Sequence, residues 1–248
     1  MRSHHYAGLL QLLKFRFRRA ESDARPTFFF HIPKCAGSTL WEVIWDIYGT
    51  RHVFVAKSKE RHAQLAAMPL EKRLAYSAIG GHGSLRFFRR MLGDMGGYYK
   101  IVTLRDPIDR VISEYNYIST RPQHPLNAAV REQSFRDFVE RTAPSNRQVK
   151  LLADRPDVEA AIAVVERFFD DWAMSDDVER LARSLYAMTG VQPRPIKHKN
   201  RATTPFSRRD LDATTLRLLE ERNRLDLALI ERLNRTRSGN RSASAAAM

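Results

Sequence analysis

Cysteine is almost absent from this 248-residue sequence, in which Cys35 is the one thiol, so no disulfide can form within the chain. Small secreted domains commonly depend on disulfides, and this scarcity therefore favours a protein of the reducing cytoplasm. The sequence also lacks an uninterrupted apolar run of about eighteen residues, the length that a transmembrane helix needs. No linker rich in glycine, serine or proline divides its middle, which predicts a single folded domain.

Acidic residues are scarce relative to basic ones. The 28 Asp and Glu residues against 42 Lys and Arg leave a formal charge of +14, which attracts anions. Nucleic acid is one such polyanion, but the sequence has no zinc-finger spacing, no RNA-recognition aromatic signature and no sustained basic zipper. We therefore expect no nucleic-acid partner, and the charge favours a phosphorylated small molecule or an acidic polysaccharide.

Both ends of the chain differ in composition from its middle. Residues 1–26 are predicted to form a basic helical extension. Two interpretations of residues 6–19 remain open: a basic amphipathic helix in peripheral contact with an anionic membrane surface, or a helix that covers the core. Residues 237–248 are rich in serine and alanine, which predicts a disordered tail. The predicted folded domain is residues 27–236.

A strand, a tight loop and the start of a helix follow one another in residues 28–40. Three consecutive phenylalanines suit a buried strand, and Pro33 ends it because proline cannot donate a ladder hydrogen bond. Small residues then let backbone N–H groups approach an anion, to which the hydroxyls and the Lys34 ammonium add. The alternative is an ordinary turn with an incidental lysine. The residues of the predicted anion site are Lys34, Cys35, Ala36, Gly37, Ser38 and Thr39.

The loop differs from the nucleotide-binding loop of kinases. That loop, G-x-x-x-x-G-K-S/T, carries its lysine at the end, directly before a hydroxyl residue that binds Mg²⁺. Here Lys34 comes first, which suits direct contact with a bridging or leaving oxygen and does not require a metal. Cys35 is interpreted as a small residue that fills space, and a thiol with a lowered pKa beside Lys34 is the alternative.

A second junction of strand and helix follows residues 98–104. Asp106 is a good N-cap and Pro107 fits the first helical position. The guanidinium of Arg105 can donate two hydrogen bonds to one phosphate, which makes this residue a candidate phosphate ligand. The alternative is that Arg105 pairs with a neighbouring carboxylate such as Asp109.

Between these two junctions lies a histidine flanked by glycines. His82 follows the short apolar run at residues 77–81 and precedes Gly83. A histidine can take a proton from a hydroxyl because its unperturbed pKa lies near neutral pH. His82 is therefore a candidate general base, with a turn residue that caps a backbone group as the alternative. His31, inside the first strand, is interpreted as a packing or loop-orienting residue.

The junctions resemble the sulfotransferases that use 3′-phosphoadenosine 5′-phosphosulfate (PAPS). Pro33, Lys34 and Ser38 match the family's Pro-Lys-x-x-x-Ser/Thr loop for the 5′-phosphosulfate. Arg105 and Ser113, the latter outside its helix's apolar stripe, match the family's 3′-phosphate site. The resemblance implies that PAPS is the sulfuryl donor and that no metal is required, with Lys34 and His82 as the catalytic residues.

The motifs are most similar to the glycan-modifying branch related to heparan and uronyl 2-O-sulfotransferases. This branch implies an acceptor hydroxyl on an acidic or neutral glycan. Some relatives carry a second histidine where this chain has Gly80. Residues 146–148 resemble an Asn-x-Gln segment that shapes the acceptor side in this branch. Related enzymes close a late basic loop over the donor, and this chain has a basic segment in the matching region. The alternative is that the basic residues of this segment are ordinary solvated charges. The matching candidates are Lys197, Lys199 and Arg201.

The pattern as a whole predicts an α/β protein with the P-loop-like sulfotransferase fold, a central parallel sheet flanked by helices. Helical periodicity covers residues 39–48, 59–67, 70–74, 85–91, 135–141, 158–168, 176–188 and 211–233, with Ser175 as a predicted N-cap. Two other functions compete with sulfuryl transfer: a kinase that uses ATP and Mg²⁺, and a non-enzymatic protein that binds polyanions. The sequence does not name the acceptor or the oligomeric state.

Overall fold

The computed structural model describes residues 24–196 and 206–246. The predicted N-terminal helix at residues 6–19 lies outside the described residues, as does the predicted basic loop with Lys197, Lys199 and Arg201. The boundaries of the predicted domain therefore stay predictions. Within the described ranges, no helix is long and apolar enough to cross a membrane.

A five-stranded parallel sheet forms the centre of the molecule. Most strand residues are apolar and buried, as expected when helices cover both faces of a parallel sheet. The predicted α/β fold with a central parallel sheet is thereby confirmed. The strands are β1 (Thr27–Phe30), β2 (Val53–Ala56), β3 (Ala78–Gly81), β4 (Tyr99–Leu104) and β5 (Asp171–Met174). Their order across the sheet is β2-β3-β1-β4-β5.

The two faces of the sheet bury separate apolar clusters, because successive side chains of a strand point to opposite faces. Phe28 and Phe30 face one cluster, where Phe28 meets Phe88 edge to face at 5.3 Å between ring centroids. Phe29 faces the other cluster, where it packs on Trp41 of the first helix. All three phenylalanine side chains are fully buried. The strand is thus fixed from both sides.

Helices surround the sheet on both faces, and six of the eight ranges predicted from periodicity agree with an observed helix within two residues at each end, while Asn127–Arg131 and Arg147–Ala153 were not predicted. The segment predicted as one helix at 135–141 is a short α-helix that continues as a π-helix, Phe138–Thr142. Short 3₁₀ turns occur at Thr50–His52 and Arg208–Asp210. The α-helices are Gly37–Tyr48, Lys59–Ala67, Leu70–Leu74, Leu85–Leu92, Pro107–Ser119, Asn127–Arg131, Phe135–Asp137, Arg147–Ala153, Val158–Arg167, Val178–Thr189, Ala213–Arg222 and Arg224–Ala246.

The C-terminal helices differ from the prediction in three places. The helix predicted over residues 211–233 is broken at Asn223, whose side chain bonds backbone groups at Leu219 and Asn146 and so competes with the helix. The N-cap of Val178–Thr189 is Asp177 instead of Ser175.

The last helix is described to Ala246, whereas the sequence predicts disorder from Arg237. The Arg237 guanidinium bonds the Asp177 carboxylate and lies 5.4 Å from the Trp172 ring centroid, which ties the start of the predicted tail to the domain.

At Gly80, β3 approaches β1 so closely that no side chain fits. A Cβ at this position would lie 2.0 Å from the Phe29 carbonyl oxygen, on a backbone with φ +156°. This contact is with backbone and cannot be relieved by a rotamer change. It gives a physical reason why this chain has glycine where some relatives have a second histidine.

We expect Gly80→Ala to lower the free energy of unfolding by about 2 kcal/mol or more, because overpacking of a tight site costs on this scale. Gly97→Ala is the control, since a Cβ at Gly97 meets nothing within 4 Å. Urea unfolding of both variants measures the difference. Equal stability of the two would show that β3 can move away from β1.

Candidate active site

Three junctions of the chain meet at the carboxyl edge of the sheet. β1 pairs with β3 on one side and β4 on the other, so that Phe30 lies level with Gly81 and Val102. The residues that follow these strands are therefore neighbours in space. In open parallel sheets, ligands bind at this edge. The structure places Lys34, His82 and Arg105 there.

The loop after β1 is shaped to present backbone donors. Lys34 and Ala36 have φ of 73° and 61°, values that non-glycine residues rarely adopt. Alternation of this kind forms a concave nest of N–H groups. Ala36 is the N-cap of helix Gly37–Tyr48 and its side chain accepts no hydrogen bond from the first turn, in which the Thr39 N–H donates to the Ala36 carbonyl at 3.1 Å. Ser38 in that turn is exposed, while Thr39 is buried.

Cys35 turns its side chain away from the concave side of the loop. It is fully buried, and its Sγ lies 3.7 Å from Oε1 of Gln148. Burial raises the pKa of the Cys35 thiol to about 12, which is opposite to the lowered pKa considered from the sequence. Cys35 therefore offers an anion no thiolate, and its backbone N–H donates to the Ile32 carbonyl at 3.3 Å.

Lys34 holds its ammonium against an aromatic ring. Nζ lies 4.0 Å from the ring centroid of Tyr117, and the Arg121 guanidinium lies 4.3 Å from the same centroid. Burial first, and then the positive charge of Arg105, lower the pKa of Lys34 to about 8. The Lys34 ammonium and the Arg105 guanidinium thus repel each other in the free protein, and an anion bound between them would relieve this repulsion.

Arg105 is tied to the loop. Its Nη1 donates to the Lys34 carbonyl at 3.1 Å. Asp109, the carboxylate considered as its partner, lies instead 3.8 Å from Nη1 of Arg208. The predicted N-cap is present, since Asp106 Oδ1 accepts from the N–H of Asp109 at 2.9 Å. Ser113 lies half-buried in the second turn of the helix that begins at Pro107.

His82 has a fixed backbone and an unengaged ring nitrogen. Its N–H donates to the Ala56 carbonyl at 2.9 Å, and its carbonyl accepts from Nε2 of His62 at 2.6 Å. Nε2 of His82 is buried and has no hydrogen-bond partner among the described residues. Burial, followed by the charges of Arg147 and Lys57, lowers the pKa of His82 to about 4. The imidazole is therefore neutral at pH 7 and can accept a proton.

His31 acts as packing beside this imidazole, in agreement with the sequence interpretation. Its ring lies 5.4 Å from the Phe29 ring in a stacked arrangement and 4.4 Å from the His82 ring, centroid to centroid. Nδ1 of His31 accepts from the indole N–H of Trp41 at 3.2 Å, so the neutral ring carries its proton on Nε2. Burial holds the pKa of His31 well below its ordinary value.

Arg147 is a site residue that the sequence patterns do not single out. Its Nη1 donates to Glu114 at 2.7 Å, and fully buried Arg110 donates to the other oxygen of the same carboxylate at 2.8 Å. Two arginines therefore share one carboxylate, which leaves a net positive charge near His82. The resemblance of residues 146–148 to an Asn-x-Gln segment was the one sequence signal in this region.

Replacement of the buried Lys34 ammonium should stabilise the free protein. Lowering a lysine pKa from 10.5 to about 8 disfavours the charged form by roughly 3 kcal/mol. The lost contact with Tyr117 offsets part of this, so we expect Lys34→Met to raise the free energy of unfolding by about 1 kcal/mol at pH 7.

The advantage of Lys34→Met should shrink between about pH 8 and 10.5. In this window the unfolded parent binds the proton more tightly than the folded parent, so the stability of the parent rises with pH. Thermal unfolding at pH 7 and pH 10 measures the change, with Lys59→Met on an exposed helix position as the control. A destabilised Lys34→Met variant at pH 7 would contradict the unfavourable burial.

Comparison with known proteins identifies the family. The family model described as "Sulfotransferase family" matches residues 21–231. Among solved structures, the chain is similar to mouse sulfotransferase SULT7A1 complexed with PAP, with 14% identity and a TM-score of 0.41 over 81% of this chain and 65% of that one. This chain thus spans slightly less than two thirds of that protein, and no curated protein matches it. Since the family match covers most of its length, the chain belongs to the sulfotransferase family.

Proposed function

We propose that this protein transfers a sulfuryl group from PAPS to an acceptor hydroxyl on a carbohydrate. The observation that carries the proposal is the meeting of three groups at one sheet edge: the Lys34 loop, Arg105, and the unpartnered Nε2 of His82. Anion binding, charge stabilisation and proton removal are the three tasks of sulfuryl transfer. Each of these groups suits one of them.

The donor site fits a molecule with phosphates at two positions. The backbone nest at Ala36 and the first turn of helix Gly37–Tyr48 offer N–H groups to a 5′-phosphosulfate. Arg105, one strand away, offers a guanidinium to a 3′-phosphate. When bound, PAPS supplies a sulfuryl group attached to a phosphate leaving group. The ammonium of Lys34 would stabilise negative charge that develops on the bridging oxygen as the S–O bond breaks.

His82 is suited to remove the acceptor proton. In the tautomer that carries its proton on Nδ1, the neutral ring offers an acceptor lone pair on Nε2, which takes the hydroxyl proton as the acceptor oxygen forms its bond to sulfur. In the free protein, burial lowers the pKa of His82 most, and the positive charges of Arg147, Lys57 and Lys34 lower it further. Anions bound at the site offset these charges and raise the proton affinity of His82. Binding of the donor therefore makes His82 a stronger base.

An acidic glycan suits the surroundings of His82 best. Arg147 and Arg110 share the single carboxylate of Glu114, so a net positive charge remains at this pair of arginines. Lys57, directly after β2, is exposed and adds a further positive charge. A carboxylate or sulfate on the acceptor would compensate these charges next to the reacting hydroxyl. The motif resemblance to the glycan-modifying branch supports the same acceptor class. Lys197, Lys199 and Arg201 remain predicted contacts for the 3′-phosphate or an acidic acceptor.

Calorimetric titration with 3′-phosphoadenosine 5′-phosphate should show binding that persists in EDTA. We expect Arg105→Ala to weaken it about 10- to 100-fold, because hydrogen bonds to charged groups contribute roughly 1.5–3 kcal/mol. Arg183→Ala is the matched control, since Arg183 is exposed and lies near Glu179 on helix Val178–Thr189. Preference for ATP with Mg²⁺ would indicate a kinase, and binding of neither nucleotide would favour the polyanion module.

The pH dependence of kcat/KM should report His82 and Lys34. Activity needs a neutral His82, with its pKa of about 4, and a charged Lys34, with its pKa of about 8. We therefore expect kcat/KM to rise through about pH 4 and to fall above about pH 8. Lys34→Arg should move the alkaline limb upward, since a guanidinium stays protonated in this range.

Initial rates with radiolabelled PAPS between about pH 3 and pH 10 measure both limbs of the profile. His82→Asn serves as the companion variant and should lower kcat by about 100-fold or more. An alkaline limb that stays in place in Lys34→Arg would assign it to another group.

A further inference from the structure

Gln148 holds the main chain of Arg105 with both ends of its side-chain amide. Oε1 accepts from the Arg105 N–H at 3.0 Å, and Nε2 donates to the Arg105 carbonyl at 2.9 Å. This pair of bonds also fixes the orientation of the amide, since a flipped group would place like atoms together. The side chain is fully buried. The Gln148 amide thus makes with Arg105 the pair of backbone hydrogen bonds that a neighbouring strand makes within a sheet.

Arg105 needs such a partner because it lies just beyond the sheet. β4 ends at Leu104, whose carbonyl accepts from the N–H of Ser175 at 2.7 Å. The helix that follows begins at Pro107, with Asp106 as its N-cap. Neither the sheet nor the helix therefore fixes the peptide groups of Arg105. Buried peptide groups require partners, and the Gln148 amide supplies two hydrogen bonds here.

The Gln148 side chain also contacts the loop that follows β1 and contains Lys34 and Cys35. Its Oε1 lies 3.7 Å from Sγ of Cys35, within reach of a weak S–H hydrogen bond. The Arg105 guanidinium contacts the same loop, because it donates to the Lys34 carbonyl. Gln148 therefore links the loop proposed to bind the 5′-phosphosulfate to the arginine proposed to bind the 3′-phosphate.

Two helix ends hold Gln148 in place. The Asp226 carboxylate accepts from the N–H groups of Gln148 at 3.0 Å and Val149 at 2.8 Å, which caps helix Arg147–Ala153. In return, the Asn146 side chain accepts from Leu225 at 2.9 Å and Asp226 at 3.3 Å at the start of the last helix. Each helix caps the other. The amide of Gln148 consequently projects from a rigid base.

We propose that Gln148 is a positioning residue of the donor site, which aligns Arg105 with the 3′-phosphate and sets its distance from the Lys34 loop. This role rests on the proposed PAPS-dependent function. It differs from the acceptor-side role that the Asn-x-Gln resemblance implies, because the contacts of Gln148 are with Arg105 and Cys35. Loss of its amide should affect recognition of the 3′-phosphate and leave contacts to the rest of the nucleotide intact.

The test compares two nucleotides that differ in the 3′-phosphate alone. Titration calorimetry gives the affinity of each protein for 3′-phosphoadenosine 5′-phosphate and for adenosine 5′-phosphate. We expect Gln148→Leu to reduce the preference of the parent for the 3′-phosphorylated ligand about tenfold. Gln148→Glu keeps an acceptor for the Arg105 N–H but loses the donor to its carbonyl, so a smaller reduction is expected.

A double-mutant cycle separates positioning from general damage. If Gln148 acts through Arg105, Gln148→Leu should cause no further loss of preference in an Arg105→Ala background. Gln133→Leu is the matched control, because the half-buried Gln133 amide bonds Thr142 elsewhere in the chain, and it should keep the preference of the parent. Circular dichroism verifies that each variant is folded.

The outcomes distinguish the two proposals. A parent protein without preference for the 3′-phosphorylated ligand would overturn the donor assignment itself. A parent with this preference, together with folded Gln148→Leu and Gln148→Glu variants that retain it in full, would refute the positioning role. Equal loss of affinity for both nucleotides in Gln148→Leu would also refute it, since that result indicates a general distortion of the pocket.

Discussion

Parallel pairing of β1 with both of its neighbours is the constraint on which the site depends. Because β3 and β4 run in the same direction as β1, the residues that follow all three strands lie at one edge. The phenylalanines of β1 are buried on both faces of the sheet, so the core leaves no other place for polar chemistry on this strand. The functional groups stand on loops, but the buried strands position them.

Charge at this edge is arranged for a ligand and at the expense of the free protein. Burial lowers the pKa values of Lys34 and His82, and positive charge lowers them further, from Arg105 at Lys34 and from Arg147 at His82. Unfavourable interactions of this kind persist where binding relieves them. The Glu114 carboxylate compensates two arginines at once, which limits the cost without neutralising the site. An anionic ligand is the partner that such a field favours.

Local sequence rules account for the junctions but not for the links between them. Asp106 caps a helix through a contact within a few residues, which is why this helix start could be predicted, whereas β1 ends at Phe30, before the predicted end at Pro33. Gln148 lies 43 positions from Arg105, and Asp226 lies 78 from Gln148. Such pairs depend on how whole helices pack, which periodicity does not encode. The break at Asn223 was missed for the same reason, since it depends on a contact with Asn146.

The burial of Cys35 makes this protein well suited to site-specific spectroscopy. Its single thiol is inaccessible, and its raised pKa keeps it protonated at the pH of ordinary labelling reactions. A cysteine introduced at exposed Ser38 or Lys57 would therefore react with a maleimide dye or spin label while the native thiol stays intact. No background substitution would be needed, and motions of the loop could be followed in an otherwise unaltered chain.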